Sequence, residues 1–218
     1  MNIPIIIVSY NRLAYLKSCV DSIINHGYTS IFIIDNKSTY EPLLKYYKEN
    51  NHLFEVLYAP HNFGHNVMNE WYDKTLIRLQ KSYYVYTDND IKLSDNIPNN
   101  FLEFFVEAQK YFNSDKIGCA LKIDNLPACY KQKQEVIEWE KKFWVDKRPF
   151  KQTSFYKAPI DTTFALVKPR GLCIWTDNSF RCGDHYAAEH LPWYEDTANS
   201  NDELSYYRES SLKGISHW

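Results

Sequence analysis

Four absences narrow the sequence before any motif is considered. No apolar run approaches the ~20 residues that a membrane-spanning helix needs, and the apolar Ile3–Val8 stretch lacks a basic leader, so it does not read as a signal peptide. The five cysteines, Cys19, Cys119, Cys129, Cys173 and Cys182, form no CxxC pair and are odd in number. They read as reduced, mostly buried thiols of a cytoplasmic protein. Neither GxGxxG nor GxxxxGK[ST] occurs, which sets aside dinucleotide-binding and P-loop chemistry. Charge of one sign is also missing: 25 basic against 27 acidic residues give a net charge of −2. No global field therefore attracts nucleic acid or a membrane, and an anionic substrate would need a metal or local cations.

What is present is a well-supplied core. Of 218 residues, 44% are hydrophobic and 17% aromatic, which excludes disorder and allows one large domain. The first ninety residues alternate strand and helix. Ile3 to Ser9 is a β-branched run suited to a strand buried on both faces. Leu13, Leu16, Cys19, Val20, Ile23 and Ile24 then recur at helical spacing up to a stop at Gly27. Strands follow at Ser30–Ile34, Leu53–Tyr58 and Tyr83–Thr87, separated by a helix opening at Pro42 and one over 65–80. This alternation predicts an α/β fold, with a mostly parallel sheet flanked by helices on both faces. The second half is less regular. It predicts a helix over Phe101–Phe112, a strand over Ile117–Ile123 and a helix around Val136, Trp139 and Phe143. Short strands at Phe164–Val167 and Leu172–Thr176 and a last helix at Asp202–Ser210 complete the reading. With no linker in sight, the chain reads as one domain, 1–218, of two lobes.

In open α/β sheets ligands bind beyond the carboxyl ends of the strands. Those ends carry Ser9-Tyr10-Asn11-Arg12, Asp35-Asn36, Asn62-Phe63-Gly64 and Asp88-Asn89-Asp90. Asp88 and Asp90, two residues apart after a buried strand, can bind a hard divalent cation, or they can make a polar turn. Asp35 can accept from a base or ribose, or cap the next helix. Gly64 allows backbone to approach a ligand closely, or simply makes a turn.

The order SYNR, IDN, NFG, TDND resembles the nucleotide-binding half of GT-A fold glycosyltransferases, the family 2-like group in particular, over about residues 3–92. The DTTFALV (161–167) and HLPWYED (190–196) segments resemble a bacterial branch of the same group. The resemblance implies a GT-A fold, with residues 1–92 binding the nucleotide-sugar and 93–218 forming an acceptor-side C-terminal lobe. It implies a donor site of Ser9, Tyr10, Arg12, Asp35, Asn36, Asn62, Gly64, Asp88 and Asn89. It also implies a Mn²⁺ or Mg²⁺ ion held by Asp88, Asp90 and His190, with Asp90 as direct ligand and Asp88 acting through water or ribose. His185 competes with His190 for the last place, and a hydrogen-bonded histidine packed beside Trp193 and Tyr194 is the other reading of His190. A metal would stabilise the departing nucleoside diphosphate. An inverting transfer also needs a carboxylate to take the acceptor's proton, and Asp161 is the first choice, ahead of Glu195-Asp196, Asp184 and Glu189.

The implied partners are a nucleotide-sugar donor, with UDP the default and TDP and GDP open, and a glycan or lipid-linked acceptor. Nucleic acid is not expected, and contact with a membrane would be peripheral. Arg170 and Arg181 read as phosphate binders or surface ion pairs. His61 and His65 read as surface histidines. Trp139, Trp144, Trp175 and Trp193 read as sugar-stacking or core aromatics, and the 129–157 stretch as a lid over the donor. A nucleotidyltransferase and a carbohydrate-binding module without turnover are the competing readings.

Overall fold

The computed structural model describes residues 2–171, 175–196 and 201–211. Its N-terminal part repeats one unit. The strand β1 (Ile5–Ser9) runs into helix α1 (Leu13–Asn25), then β2 (Ile31–Asp35), α2 (Glu41–Glu49) and β3 (Glu55–Tyr58). The sequence explains these elements directly. Ile5, Ile6 and Ile7 are fully buried because β1 lies between two parallel neighbours with both faces covered. In α1, Leu16, Cys19, Val20 and Ile23 form the buried stripe, and burying each Leu- or Ile-sized side chain is worth about 1.5–3 kcal/mol. Gly27 ends that helix at φ +82°, a left-handed conformation that side chains disfavour.

The single helix expected over 65–80 is two: α3 (Val67–Glu70) and α4 (Lys74–Leu79). The physical reason is Asp73, whose carboxylate accepts from Thr75 N at 2.7 Å and Leu76 N at 3.1 Å and so caps a new helix. Then come β4 (Tyr84–Asp88), a short β5 (Ile91–Lys92), α5 (Phe101–Phe112), β6 (Lys116–Cys119) and α6 (Lys133–Lys141). The remaining elements are β7 (Lys147–Phe150), β8 (Thr153–Lys157), β9 (Ala165–Val167), β10 (Ser179–Cys182), β11 (Glu189–His190) and α7 (Asp202–Ser210).

Among the described residues one nine-stranded sheet runs β3-β2-β1-β4-β9-β6-β10-β8-β7. Its β3-β2-β1-β4 half is wholly parallel; β9 and β8 run against the rest and make the other half mixed. The register aligns the strand ends: Ser9 pairs with Asp35, Asp35 with Tyr58, and Val8 with Asp88. One face carries α1, α2 and α5 over Ile5, Ile7, Val85, Leu166 and Phe180. Ile6, Ile34, Tyr84, Tyr86 and Val167 form a smaller core under α3 and α4 on the other.

The 129–157 stretch is not a loose cover. It holds α6 and the β7–β8 hairpin, which forms the sheet's far edge with Phe155 fully buried, so most of it cannot swing as a lid. Of the strand expected over Leu172–Thr176, residues 172–174, including Cys173, lie outside the described residues, and Trp175 and Thr176 are not in a strand. No described helix is long and apolar enough to cross a membrane.

Candidate functional site

Beyond Ser9 and Asp88, the ends of β1 and β4, four segments meet. Asn89 is buried and ties two of them together, its amide donating to Ser9 Oγ at 3.2 Å and to Arg12 O at 3.3 Å. The third segment is 161–162. The Asp88 amide donates to Thr162 O at 2.9 Å, and the Thr162 hydroxyl returns a bond to Asp88 Oδ2. The fourth is β11, which pairs with β5 so that His190 stands opposite Ile91, with Leu191 N donating to Asp90 O at 2.8 Å. This two-stranded pairing brings His190 Nε2 to 3.4 Å from Asp90 Oδ2. His190 is also packed edge-on to Trp193, 4.6 Å between ring centroids, as the packed-histidine reading expects. His185 is exposed, four residues before the short β11.

The two acids of the DND turn have opposite environments. Burial, and the charges of Asp90 and Asp161, push the Asp88 carboxyl well above the usual carboxylate range against the pull of the Thr162 hydroxyl. Burial acts on Asp90 too, but His190 and Arg12 outweigh it and hold that carboxyl below its ordinary value. Asp90 Oδ1 and His190 Nδ1 are buried with no hydrogen-bond partner. A buried acceptor left without a donor is costly and calls for an ion or water at that point. The expected ligands Asp88, Asp90 and His190 are therefore neighbours. They are not gathered on one point, however, and among the described residues no three His, Cys, Asp or Glu side chains are.

The other expected donor residues are already engaged within the protein. Arg12 is a buried brace: its guanidinium meets Glu195 Oε1 at 2.6 Å and Glu203 Oε1 at 3.4 Å, and stacks on Tyr15 at 3.8 Å. Glu203 in turn accepts from Ala14 N at 3.2 Å (Oε1) and 3.1 Å (Oε2), in the first turn of α1, a helix with no side-chain cap of its own. Tyr10 donates its hydroxyl to Ser210 O at 2.7 Å, so α7 covers the SYNR turn.

Asp35 is buried and accepts from Ser38 N at 3.1 Å (Oδ2) and Tyr47 OH at 3.3 Å (Oδ1). Burial raises its carboxyl even so, against the opposing pull of Ser38, Tyr47 and Lys37. Asn36 accepts from Phe63 N at 2.9 Å and donates to Gly64 O at 3.0 Å, while Asn62 accepts from Gly64 N at 2.8 Å. The NFG turn, with Gly64 at φ +59°, is thus pinned to the end of β2.

Asp161 is exposed, beside Asp88, and the two carbonyls before it are held from beneath. Arg181 Nε donates to Pro159 O at 2.8 Å and Lys116 Nζ to Ile160 O at 3.2 Å. Arg181 is neither a phosphate binder nor a surface residue. It is 3% exposed and paired with Glu140, equally buried, at 2.5 Å. Arg170 sits in an exposed turn at φ +59°. His61 and His65 are exposed, as expected for surface histidines. Gly118 lets the 160–164 segment close onto the sheet, since a Cβ there would lie 2.9 Å from Phe164 O and 3.1 Å from Ile160 Cδ1.

Sequence reasoning missed Thr162, Glu203, Glu140 and Lys116. Thr162 alone had a signal, its place beside Asp161 in DTTF. The others are set by contacts across 41 to 189 residues of chain.

Among curated proteins no sequence matches the chain. Solved structures resemble it, among them the three that follow. These are S. aureus TarS 1–349 (15% identity, 77% of this chain and 47% of that one, TM-score 0.43) and GalNAc-T7 with UDP, GalNAc and Mn²⁺ (15%, 78% and 36%, 0.46). The third is core-mannan synthase A from Aspergillus fumigatus in its Mn/GDP form (11%, 77% and 59%, 0.35). The chain thus spans less than two thirds of the length of each. Residues 5–68, from β1 through the NFG turn into α3, match the sequence model of the family described as glycosyl transferase family 2.

Proposed function

We propose that the chain is a metal-dependent glycosyltransferase of GT-A type, moving a sugar from a nucleotide-sugar, UDP-linked by default, to a hydroxyl of a glycan or lipid-linked acceptor. The observation that carries this reading is the meeting of Asp88, Asp90, Asp161 and His190 at the carboxyl edge of the parallel half-sheet, with Asp90 Oδ1 buried and unpartnered. The family match over 5–68 supports it from the other side of the same edge. The division into a donor half, 1–92, and an acceptor half, 93–218, belongs to the proposal, as do a cytoplasmic location and peripheral membrane contact through the acceptor.

Charge accounting favours a divalent cation. Three carboxylates, Asp88, Asp90 and Asp161, interact here, while Arg12 is already neutralised by Glu195 and Glu203. Mn²⁺ or Mg²⁺ would take Asp90 Oδ1, with Asp88 alongside. Such ions need only one or two carboxylates when substrate phosphates complete the shell, which suits a site with no three-ligand cluster. Bound there, the ion would supply the positive charge that a departing diphosphate needs.

The protein's own groups do the rest. Thr162 holds Asp88 in place, and β11 holds His190 against Asp90. Asp161, exposed and aimed by the clamped carbonyls behind it, takes the proton of the attacking hydroxyl. Arg12 serves the site as a brace for Glu195 and α7. Asp35, the expected base contact, already accepts from Ser38 and Tyr47, so a base would share that carboxylate with them.

Calorimetric titration of UDP, GDP and TDP with Mn²⁺ and with EDTA, on wild type and Asp90→Ala, tests the proposal. Metal-dependent binding of one nucleotide that the substitution abolishes is the expected result. Failure of all three to bind under any condition overturns it, and binding with no transfer or hydrolysis of the matching nucleotide-sugar selects the binding module.

A further inference from the structure

The structure sorts Trp139, Trp144, Trp175 and Trp193 into different roles. Trp193 is 2% exposed against His190, and Trp144 packs on the Tyr156 ring at 5.0 Å. Trp139 and Trp175 are 47% and 51% exposed. Although 36 positions apart in sequence, both meet the same ring: the Phe143 centroid lies 6.2 Å from Trp139 and 6.3 Å from Trp175, edge-on in each case. Two indoles therefore flank one buried phenyl ring at the surface of the second lobe. About half of each indole is thus left where a flat apolar ligand face can rest.

The patch is built onto the catalytic half of the candidate site. Phe143 rests on the Arg181 guanidinium, 4.0 Å from its centroid. The same Arg181 is locked by Glu140 and holds the carbonyl of Pro159, two residues before Asp161, and it feels the Asp161 charge. One buried cation thus supports the aromatic floor and the strut of the proposed base together. Whatever stacks on Trp139 and Trp175 is held in fixed relation to Asp161.

We propose that Trp139 and Trp175, with Phe143 between them, form a saccharide-binding platform that takes a sugar unit of the acceptor. The inference rests on the glycosyl-transfer reading and names the residues that recognise its second substrate. A pyranose offers a flat C–H face and a rim of hydroxyls, which suits indole surface with charged groups beside it: Lys142 covers one face of the Trp139 ring at 3.0 Å, and Glu138 and Lys141 pair at 3.0 Å on the same helix as Trp139. A stable protein partner would need ~800 Å² on each side, far beyond two indoles. A nucleic acid would seek a continuous basic stripe.

The test uses an immobilised glycan array, then tryptophan-emission titration with a free tetrasaccharide of the best-bound class, on wild type, Trp139→Ala, Trp175→Ala, the Trp139→Ala/Trp175→Ala double variant and Trp139→Phe. Each alanine variant should weaken the tetrasaccharide at least tenfold and raise the acceptor KM with kcat little changed, while Trp139→Phe keeps most of the binding. Mn²⁺-dependent nucleotide affinity and the thermal midpoint should stay as in wild type. Three results would overturn the platform: wild type binding nucleotide but no glycan, glycan binding indifferent to the double alanine variant, or a dimer that the double variant dissociates. Failure of the transferase reading looks different, because nucleotide binding itself is then absent.

Discussion

Replacing Arg12 by Met separates a structural brace from a ligand contact. The guanidinium is 9% exposed, stacked on Tyr15, and faces the carboxylates of Glu195 (22% exposed) and Glu203 (12%). Met fills the stem volume and keeps the hydrophobic contact, so the loss is mainly two partly buried acids without their cation. Removing one member of a buried pair costs ~3–5 kcal/mol, and the partial solvent exposure of Glu195 places this case at about 3. For a chain of this size each kcal/mol moves the midpoint by ~2–4 °C, so about 6–12 °C is expected in a thermal melt. Arg12→Lys keeps the charge but not the fork that spans two acids, and should lose about half as much. Nucleotide affinity, measured separately below the midpoint, should fall only as far as α7 loosens, which limited proteolysis reads at residues 202–210. A melt within 1 °C of wild type, with nucleotide binding lost, would refute the brace and return Arg12 to the donor.

Asp88→Asn should abolish transfer yet stabilise the metal-free protein at pH 7 by about 0.5–2 kcal/mol, because it removes a carboxylate that burial and two like charges oppose; urea unfolding in EDTA checks it, and a destabilised variant would contradict it. Gly118→Ala should cost about 1–3 kcal/mol by pushing against Phe164 O, and should slow transfer more than it weakens nucleotide binding, since the 160–164 segment moves first.

Glu140 carries a pH signature. Burial, opposed by Arg181, His190 and Lys142, lifts its carboxyl from an ordinary 4.5 to about 7. A raised carboxyl means that the folded state holds the proton longer than the unfolded one, so stability falls as pH rises from 4.5 to 7, by about 3 kcal/mol, and is flat beyond. Glu140→Gln lacks this dependence, so its stability relative to wild type should climb by that amount across the window. A difference constant with pH would rule the effect out.

The N-terminal half was legible because local pattern and global position agree there. Runs such as Ile5–Val8 and Ile31–Ile34 can only be buried parallel strands, and their polar ends then fall at one edge. The second half was less so. Lys147–Phe150 is a short edge strand with Lys, Arg and Pro in four residues, and its neighbour Thr153–Lys157 has little hydrophobic alternation, so composition hides their pairing. The Lys92–Glu189 pairing is two residues long on each strand, too short for any periodicity. Candidate site residues at strand ends could be placed by position. What they contact was not, because Arg12 reads equally well facing a phosphate or facing Glu195, 183 residues later.

That separation bears on the order of events during synthesis. At ~5–20 residues per second, Arg12 and the open N-terminus of α1 wait about ten to forty seconds for Glu195 and Glu203 to leave the ribosome. Until then the SYNR turn lacks its cover, Arg12 is an uncompensated cation and Asp90 has no His190. The nascent parallel half-sheet can form, but its edge cannot yet hold its acids in place. Completion of the candidate site is thereby tied to arrival of the last helix, so a stalled or shortened chain would carry the fold's recognisable motifs without that site assembled.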